Sequence, residues 1–269
     1  NHPRVIDTHI LDKRYLSLVL LIRKLGKFDK YFSFRNSIRS NLYKFFIRSN
    51  LKFKYKRNSF QYSHQVDKYN KFINKSLNID LPIRSLTIYS DTTLKDASKE
   101  IIKNKPTLGI NPGASYGSAK RWYPEEFALV AADLCNQYDI FIIGGPNEKL
   151  ISDDIEKLLI KKGIKNYQNL AGRTSIPELI QLISSFDLFI TGDSGPMHLA
   201  ACYKVPTVSI FGPTNDNETS QWNNKKSIIL KKNLDCQPCM KRVCPLKHHK
   251  CMKLIKAKDV LKEVESFNL

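Results

Sequence analysis

At 269 residues, 42% of them hydrophobic, and with a formal net charge of +19, the chain has apolar material for one or two α/β domains. No apolar run approaches the roughly 20 residues of a transmembrane helix; residues 16–22, LSLVLLI, lie between Arg14 and Arg23 and read as a buried helix face. Six cysteines do not suggest a secreted disulfide scaffold at this length, no signal-peptide pattern is present, and a cytoplasmic setting is the expectation.

In chain order, residues 5–10 are expected as a strand, 15–25 as a helix and 30–34 as a strand. Helices follow at 37–46 and 63–76, the second with Val66, Tyr69, Phe72 and Ile73 near helical spacing. This part of the chain is strongly basic: between Arg14 and Arg57 thirteen Lys or Arg residues stand against one acid, Asp29. Such a stretch suits either a solvated face or an anionic partner, be it a membrane surface, a phosphorylated glycolipid or nucleic acid. Its aromatics (Tyr31, Phe32, Phe34, Tyr43, Phe45 and Phe46) have the spacing of core positions, and no nucleic-acid motif accompanies them. Residues 80–105 are expected as strand, connector and domain boundary.

From residue 107 strands and helices alternate regularly. Strands are expected at 107–111, 140–144, 167–170, 188–191 and 207–211. The helices between them fall at 125–136 (opened by Pro124), 149–161, 176–185 and after Pro196. This pattern implies a parallel sheet with right-handed crossovers, whose ligands bind beyond the carboxyl ends of the strands. Cys135 and Cys202 fall within its apolar patterns and are expected as core thiols. Four loops of interest each follow a strand: residues 112–123, 144–148, 192–195 and 212–217.

The GDSGPMHLAA turn, from Gly192, supplies turn residues, a helix-starting proline and a helix N-terminus whose first amides are free to meet a phosphate-bearing ligand. Asp193 or Ser194 is expected to cap that helix. Asp193 would repel a naked phosphate and suits a sugar hydroxyl, while His198 lies one turn in; the plainer reading is a capped βαβ unit with a buried histidine. In NPGASYGSAKRW, from Asn111, glycines allow close backbone approach and Lys120 can neutralise a diphosphate. An exposed basic turn with Trp122 packing the helix start is the alternative. Glu148, in GGPNEK, suits ribose or sugar hydroxyls or simply the helix macrodipole. Cys236, Cys239, Cys244 and Cys251 have spacings conceivable for zinc or an iron–sulfur cluster, or for a basic loop of reduced thiols. No DxD-like acidic pair precedes a suitable strand, so no dedicated divalent-metal site is expected.

These motifs, together with VSIFGPT, CQPCMKRVCPLKHHKCM and, earlier, FSFRNSIRS and HQVDKY, resemble the bacterial lipopolysaccharide heptosyltransferases of glycosyltransferase family 9. The cysteine-rich segment is similar to that of ε-proteobacterial members. The resemblance implies an α/β, GT-B-like architecture of two Rossmann-like domains facing across a cleft. Residues 1–95 would form a partial acceptor-side domain and residues 96–269 the ADP-heptose-binding domain, with a C-terminal helix. It further implies transfer of heptose from ADP-heptose, with inversion, to a heptosylated Kdo–lipid A inner core at the cytoplasmic face of the inner membrane. No cofactor and no nucleic acid would be involved. Lys120 would contact the diphosphate or heptose and Asp193 the heptose hydroxyls, these two being the expected catalytic pair. Ser194, Gly195, His198 and Ser115 would line the diphosphate, and Glu148 would meet the ribose. The family's general base would lie on a strand and glycine-rich loop preceding the first residue of this chain, leaving a donor-binding chain without turnover, or a non-catalytic nucleotide-sugar-binding remnant, as the expectation.

Overall fold

The computed structural model describes residues 2–10, 15–57, 60, 63–89 and 105–267. They gather into two compact units, one spanning His2–Arg84 and the other beginning at Ser85. The first unit holds α1 (Tyr15–Lys24), β1 (Phe28–Ser33), α2 (Ile38–Phe46), β2 (Ser49–Lys54) and α3 (Gln65–Leu77). β1 and β2 form a parallel pair, joined through α2 as a βαβ crossover is. The Ser37 side chain caps α2 by accepting from the Ser40 amide, and His64 Nδ1 caps α3 through the Val66 amide. The core of this unit is aromatic: Phe32 stacks on Phe53, and Phe72 meets Phe32, Phe34 and Tyr55 edge-on.

Three expectations for this region are corrected. Residues 5–10 are not a strand, since no neighbouring strand among the described residues offers them a hydrogen-bonded ladder, and Ile6 and Ile10 stand fully exposed. The 16–22 segment is helical, yet Val19 and Leu20 are exposed rather than part of a buried face. Of the interleaved aromatics, Phe34, Phe45 and Phe46 are exposed, Phe34 while its ring meets Phe72. The expectation for 80–105 falls largely on residues outside those described; residues 80–89 carry no regular element.

The second unit is a doubly wound sheet of six parallel strands in the order β5-β4-β3-β6-β7-β8. The strands are β3 (Thr107–Asn111), β4 (Asp139–Ile142), β5 (Tyr167–Asn169), β6 (Leu188–Gly192), β7 (Thr207–Ile210) and β8 (Ser227–Leu230). The helices are α4 (Pro124–Leu134), α5 (Lys149–Lys161), α6 (Ile176–Ser184), α7 (Gly195–Tyr203), α8 (Asp216–Thr219), α9 (Lys250–Lys253) and α10 (Ala257–Glu265). Strands covered on both faces need apolar side chains at consecutive positions, which is why these segments read as nearly unbroken hydrophobic runs. Leu108, Ile110, Ile140, Ile142, Leu188 and Ile190 pack on one face against Phe127 and Val130 of α4, Ile155 and Leu159 of α5 and Val260 of α10. Phe141, Ile143 and Phe189 pack on the other against Leu182 and Ile183 of α6 and Ala200 of α7. Each such fully buried aliphatic or aromatic side chain contributes about 1.5–3 kcal/mol. Gly109 makes room in the central strand: a Cβ there would run into the Phe186 ring. Cys135 and Cys202 are only half-buried, and burial pushes the Cys202 thiol up.

Candidate active site

β3 and β6 pair so that Asn111 lies beside Thr191 at their carboxyl ends. Beyond those ends opens a cavity of about 450 Å³. Ser115 and Lys120 line it from the loop after β3, Glu148 from the loop after β4, and Asp193, Ser194, Gly195 and His198 from the turn after β6 and the first turn of α7. All seven donor-site residues expected from the sequence therefore border one space. The fourth loop departs from expectation. Residues 212–217 do not line this cavity, and Gly212, Thr214 and Asp216 border a separate hollow with residues 231–235, Gln237 and Pro238. Only Thr219, at the end of α8, reaches the main cavity from that side. A larger hollow of about 510 Å³ sits at the amino ends of the same strands and shares none of these side chains.

At the centre is a buried ion pair. Lys120 Nζ donates to the Asp193 carboxylate at 2.6 Å and to the Asp193 carbonyl at 3.1 Å, and the two side chains are only 11% and 6% exposed. Thr219 Oγ1 donates to the same carboxylate at 3.3 Å. Lys120 Nζ also sits 4.9 Å from the centroid of the Tyr116 ring, within cation–π range. Ser194 occupies the N-cap of α7 without making a side-chain cap, contrary to expectation, and Asp193 does not cap either. Ser194 Oγ instead accepts from Asn111 Nδ2 at 2.8 Å, while the same amide group donates to Thr191 Oγ1 at 2.9 Å. The first-turn amides of α7 are thus left free of a side-chain cap at the cavity wall, the arrangement that receives an anion. Ser115 Oγ stands 3.5 Å from Glu148 Oε1, and Glu148 is buried.

The cysteine-rich segment braces the loop after β3. The Ala119 amide donates to the Arg242 carbonyl at 3.0 Å, and Tyr116 Oη donates to the Met240 carbonyl at 2.8 Å. His249 Nε2 lies 2.9 Å from the Ala119 carbonyl and its Nδ1 lies 3.0 Å from Tyr123 Oη. A carbonyl only accepts, so Nε2 carries the proton and Nδ1 receives the Tyr123 hydroxyl, a tautomer that satisfies every partner. Among the described residues, no three His, Cys, Asp or Glu side chains come together as a metal-holding group. Cys251 is instead a core thiol beside Met252 under Gly212, whereas Cys236, Cys239 and Cys244 are half-buried on the loop. Burial pushes the Cys251 thiol up to about 11, and the nearby Cys244, Cys236 and Cys239 add to the shift.

Asn111, Tyr116, Leu179 and Thr219 also border the cavity and are not marked in the sequence as site residues. The one readable signal was a polar side chain, Asn111, closing an otherwise apolar strand. Thr219 arrives through a short helix that carries no motif.

A doubly wound parallel sheet with glycine turns and an uncapped helix N-terminus at its carboxyl edge defines a Rossmann-like α/β unit. The chain belongs to glycosyltransferase family 9 (heptosyltransferase), whose pattern matches residues 30–250. It is 42% identical over 255 residues to lipooligosaccharide heptosyltransferase 2 of Campylobacter jejuni, covering 94% of this chain and 79% of that protein. Among solved structures it superposes on a family 9 glycosyl transferase from Veillonella parvula with a TM-score of 0.81 at 21% identity, covering 94% of this chain and 78% of that one. It superposes on E. coli ADP-heptose LPS heptosyltransferase II with a TM-score of 0.72 at 20% identity, covering 94% and 80%.

Proposed function

We propose that this protein is the inner-core heptosyltransferase that moves heptose from ADP-heptose onto the heptosylated Kdo–lipid A acceptor of lipooligosaccharide or lipopolysaccharide. The observation that carries the reading is the convergence of seven loop side chains, around the buried Lys120–Asp193 pair, on one cavity at the carboxyl edge of the sheet. Family membership and the similarity to Campylobacter heptosyltransferase 2 support heptose as the transferred sugar. In this reading residues 96–269 bind the donor and residues 1–95 serve the acceptor.

In this reading the free amides of α7 and Ser194 hold the diphosphate, with His198 beside them. Asp193, already an acceptor from Lys120 and Thr219, has carboxylate lone pairs left for heptose hydroxyls. Glu148 takes ribose hydroxyls, with Ser115 beside it. As the glycosidic bond breaks, negative charge grows on the departing diphosphate, and preorganised donors facing it lower the barrier without reorganising. No metal or cofactor step is needed in this scheme. No helix of the described residues is long and apolar enough to cross a membrane, and the basic Arg14–Arg57 stretch is the part that would meet the phosphorylated glycolipid at the inner face of the membrane.

The test is to incubate the protein with ADP-heptose and heptosylated Kdo–lipid A and follow the acceptor by mass spectrometry. The expected product is the acceptor enlarged by one heptose, with one ADP released per transfer, an outcome that would put the deprotonating base within these 269 residues and overturn the expectation of a chain without turnover. A donor that is bound while the acceptor remains unchanged would favour the binding-remnant alternative.

A further inference from the structure

We propose that Arg242, on the cysteine-rich segment, is a diphosphate-binding residue of the donor site. The inference rests on the donor-site reading above and adds a residue to it. Its starting point is charge. The side chains lining the cavity include one lysine, Lys120, and two carboxylates, Asp193 and Glu148. Lys120 is already neutralised by Asp193 at 2.6 Å. A nucleoside diphosphate brings further negative charge into this surplus of acid, so the lining alone would repel it, and helix amides offset only partial charges.

Arg242 supplies the missing cation. Its carbonyl accepts from the Ala119 amide at 3.0 Å, one residue before Lys120. Gly117 lets the two segments touch, because a Cβ there would collide with that carbonyl. The Arg242 backbone is therefore fixed against the donor loop itself. Its guanidinium lies 5.3 Å from the centroid of the Tyr116 ring, the same ring that Lys120 Nζ approaches at 4.9 Å and that borders the cavity. Among the described residues Arg242 forms no ion pair. An arginine placed on an aromatic wall, with its five donors uncommitted to a carboxylate, is suited to bidentate recognition of a phosphate. Tyr116 acts as the platform, held by its own hydroxyl to the Met240 carbonyl at 2.8 Å.

The test compares ADP and adenosine as ligands of the wild-type protein, Arg242→Gln and Arg242→Lys, by calorimetric titration. Arg242 is exposed and its contact to Ala119 is made by the main chain, so thermal melts of both variants should match wild type. The expected result is about a tenfold loss of ADP affinity in Arg242→Gln, the size of one charge-assisted hydrogen bond. Arg242→Lys should lose less, adenosine affinity should not change, and the salt dependence of ADP binding should become shallower in Arg242→Gln. Unchanged ADP affinity in Arg242→Gln overturns the inference and leaves the donor site standing. So does an equal loss for ADP and adenosine, which would make Arg242 a wall residue rather than a phosphate ligand. A wild-type protein that binds no ADP overturns the donor-site reading and this inference together.

Discussion

At the scale of single residues, the Lys120–Asp193 pair is a buried ion pair and, in the proposed reading, the centre of the donor site. Both side chains are nearly excluded from water, so removing one partner strands the other's charge in a poorly solvated site, at a cost of about 3–5 kcal/mol. Asp193→Asn should therefore lower the free energy of unfolding in urea by an amount of that order and cut heptose transfer by about a hundredfold or more. Lys120→Met should behave alike. The double variant should be more stable than the sum of the single losses implies, because neither charge is then left unpaired, while transfer stays lost. Additive losses would show that the pair is not coupled. Cys251 gives a second residue-scale expectation. Its thiol titrates near 11 in the fold against about 9 ordinarily, so between these values the folded chain keeps a proton that the unfolded chain releases. Stability contributed by this group is complete below pH 9 and falls as pH rises from 9 to 11. Unfolding midpoints measured across pH 8–11 should decline less steeply in Cys251→Ala than in wild type.

At the scale of elements, the site is a set of strand ends held by neighbouring segments, and Gly117 is where two of them meet. Gly117→Ala would push the loop after β3 away from the Arg242 carbonyl, a main-chain atom that has no rotamer to yield. A loss of about 1–3 kcal/mol is expected, together with a raised KM for ADP-heptose. A variant with wild-type stability and KM would remove the bracing role of the cysteine-rich segment. How far these elements were legible follows from how local their causes are. The β3–β7 alternation could be read because strands buried on both faces are largely apolar and two of their crossover helices open with Pro124 and Pro196. β2 was missed because four of the six residues of SNLKFK are polar and the strand is only half-buried in a two-stranded pair, and β8 was unmarked as well. Residues 5–10 show the converse: β-forming side chains are not a strand without a partner. In the site, the glycine turns announced themselves. The bond from Asn111 to Ser194, the reach of Thr219 and the brace from Arg242 depend on segments 26 to 123 residues apart, and no window of sequence displays them.

At the scale of the whole molecule, charge and cavity point to the same kind of partner. Of the net +19, thirteen units fall on residues 1–100. Vesicles containing phosphatidylglycerol should therefore retain the protein at low salt and release it as salt rises, whereas phosphatidylcholine vesicles should not retain it. Equal retention on both would mean that the basic stretch is only a solvated face. The central claim is that the cavity around Lys120 and Asp193 is the ADP-heptose site. It is tested most directly by titrating ADP-heptose into the wild-type protein and into Lys120→Met, with ADP as competitor. Saturable binding is expected that ADP displaces and that Lys120→Met weakens by about tenfold or more, the size of one charge-assisted hydrogen bond. Absence of binding in the wild type, or equal affinity in the two proteins, would contradict it.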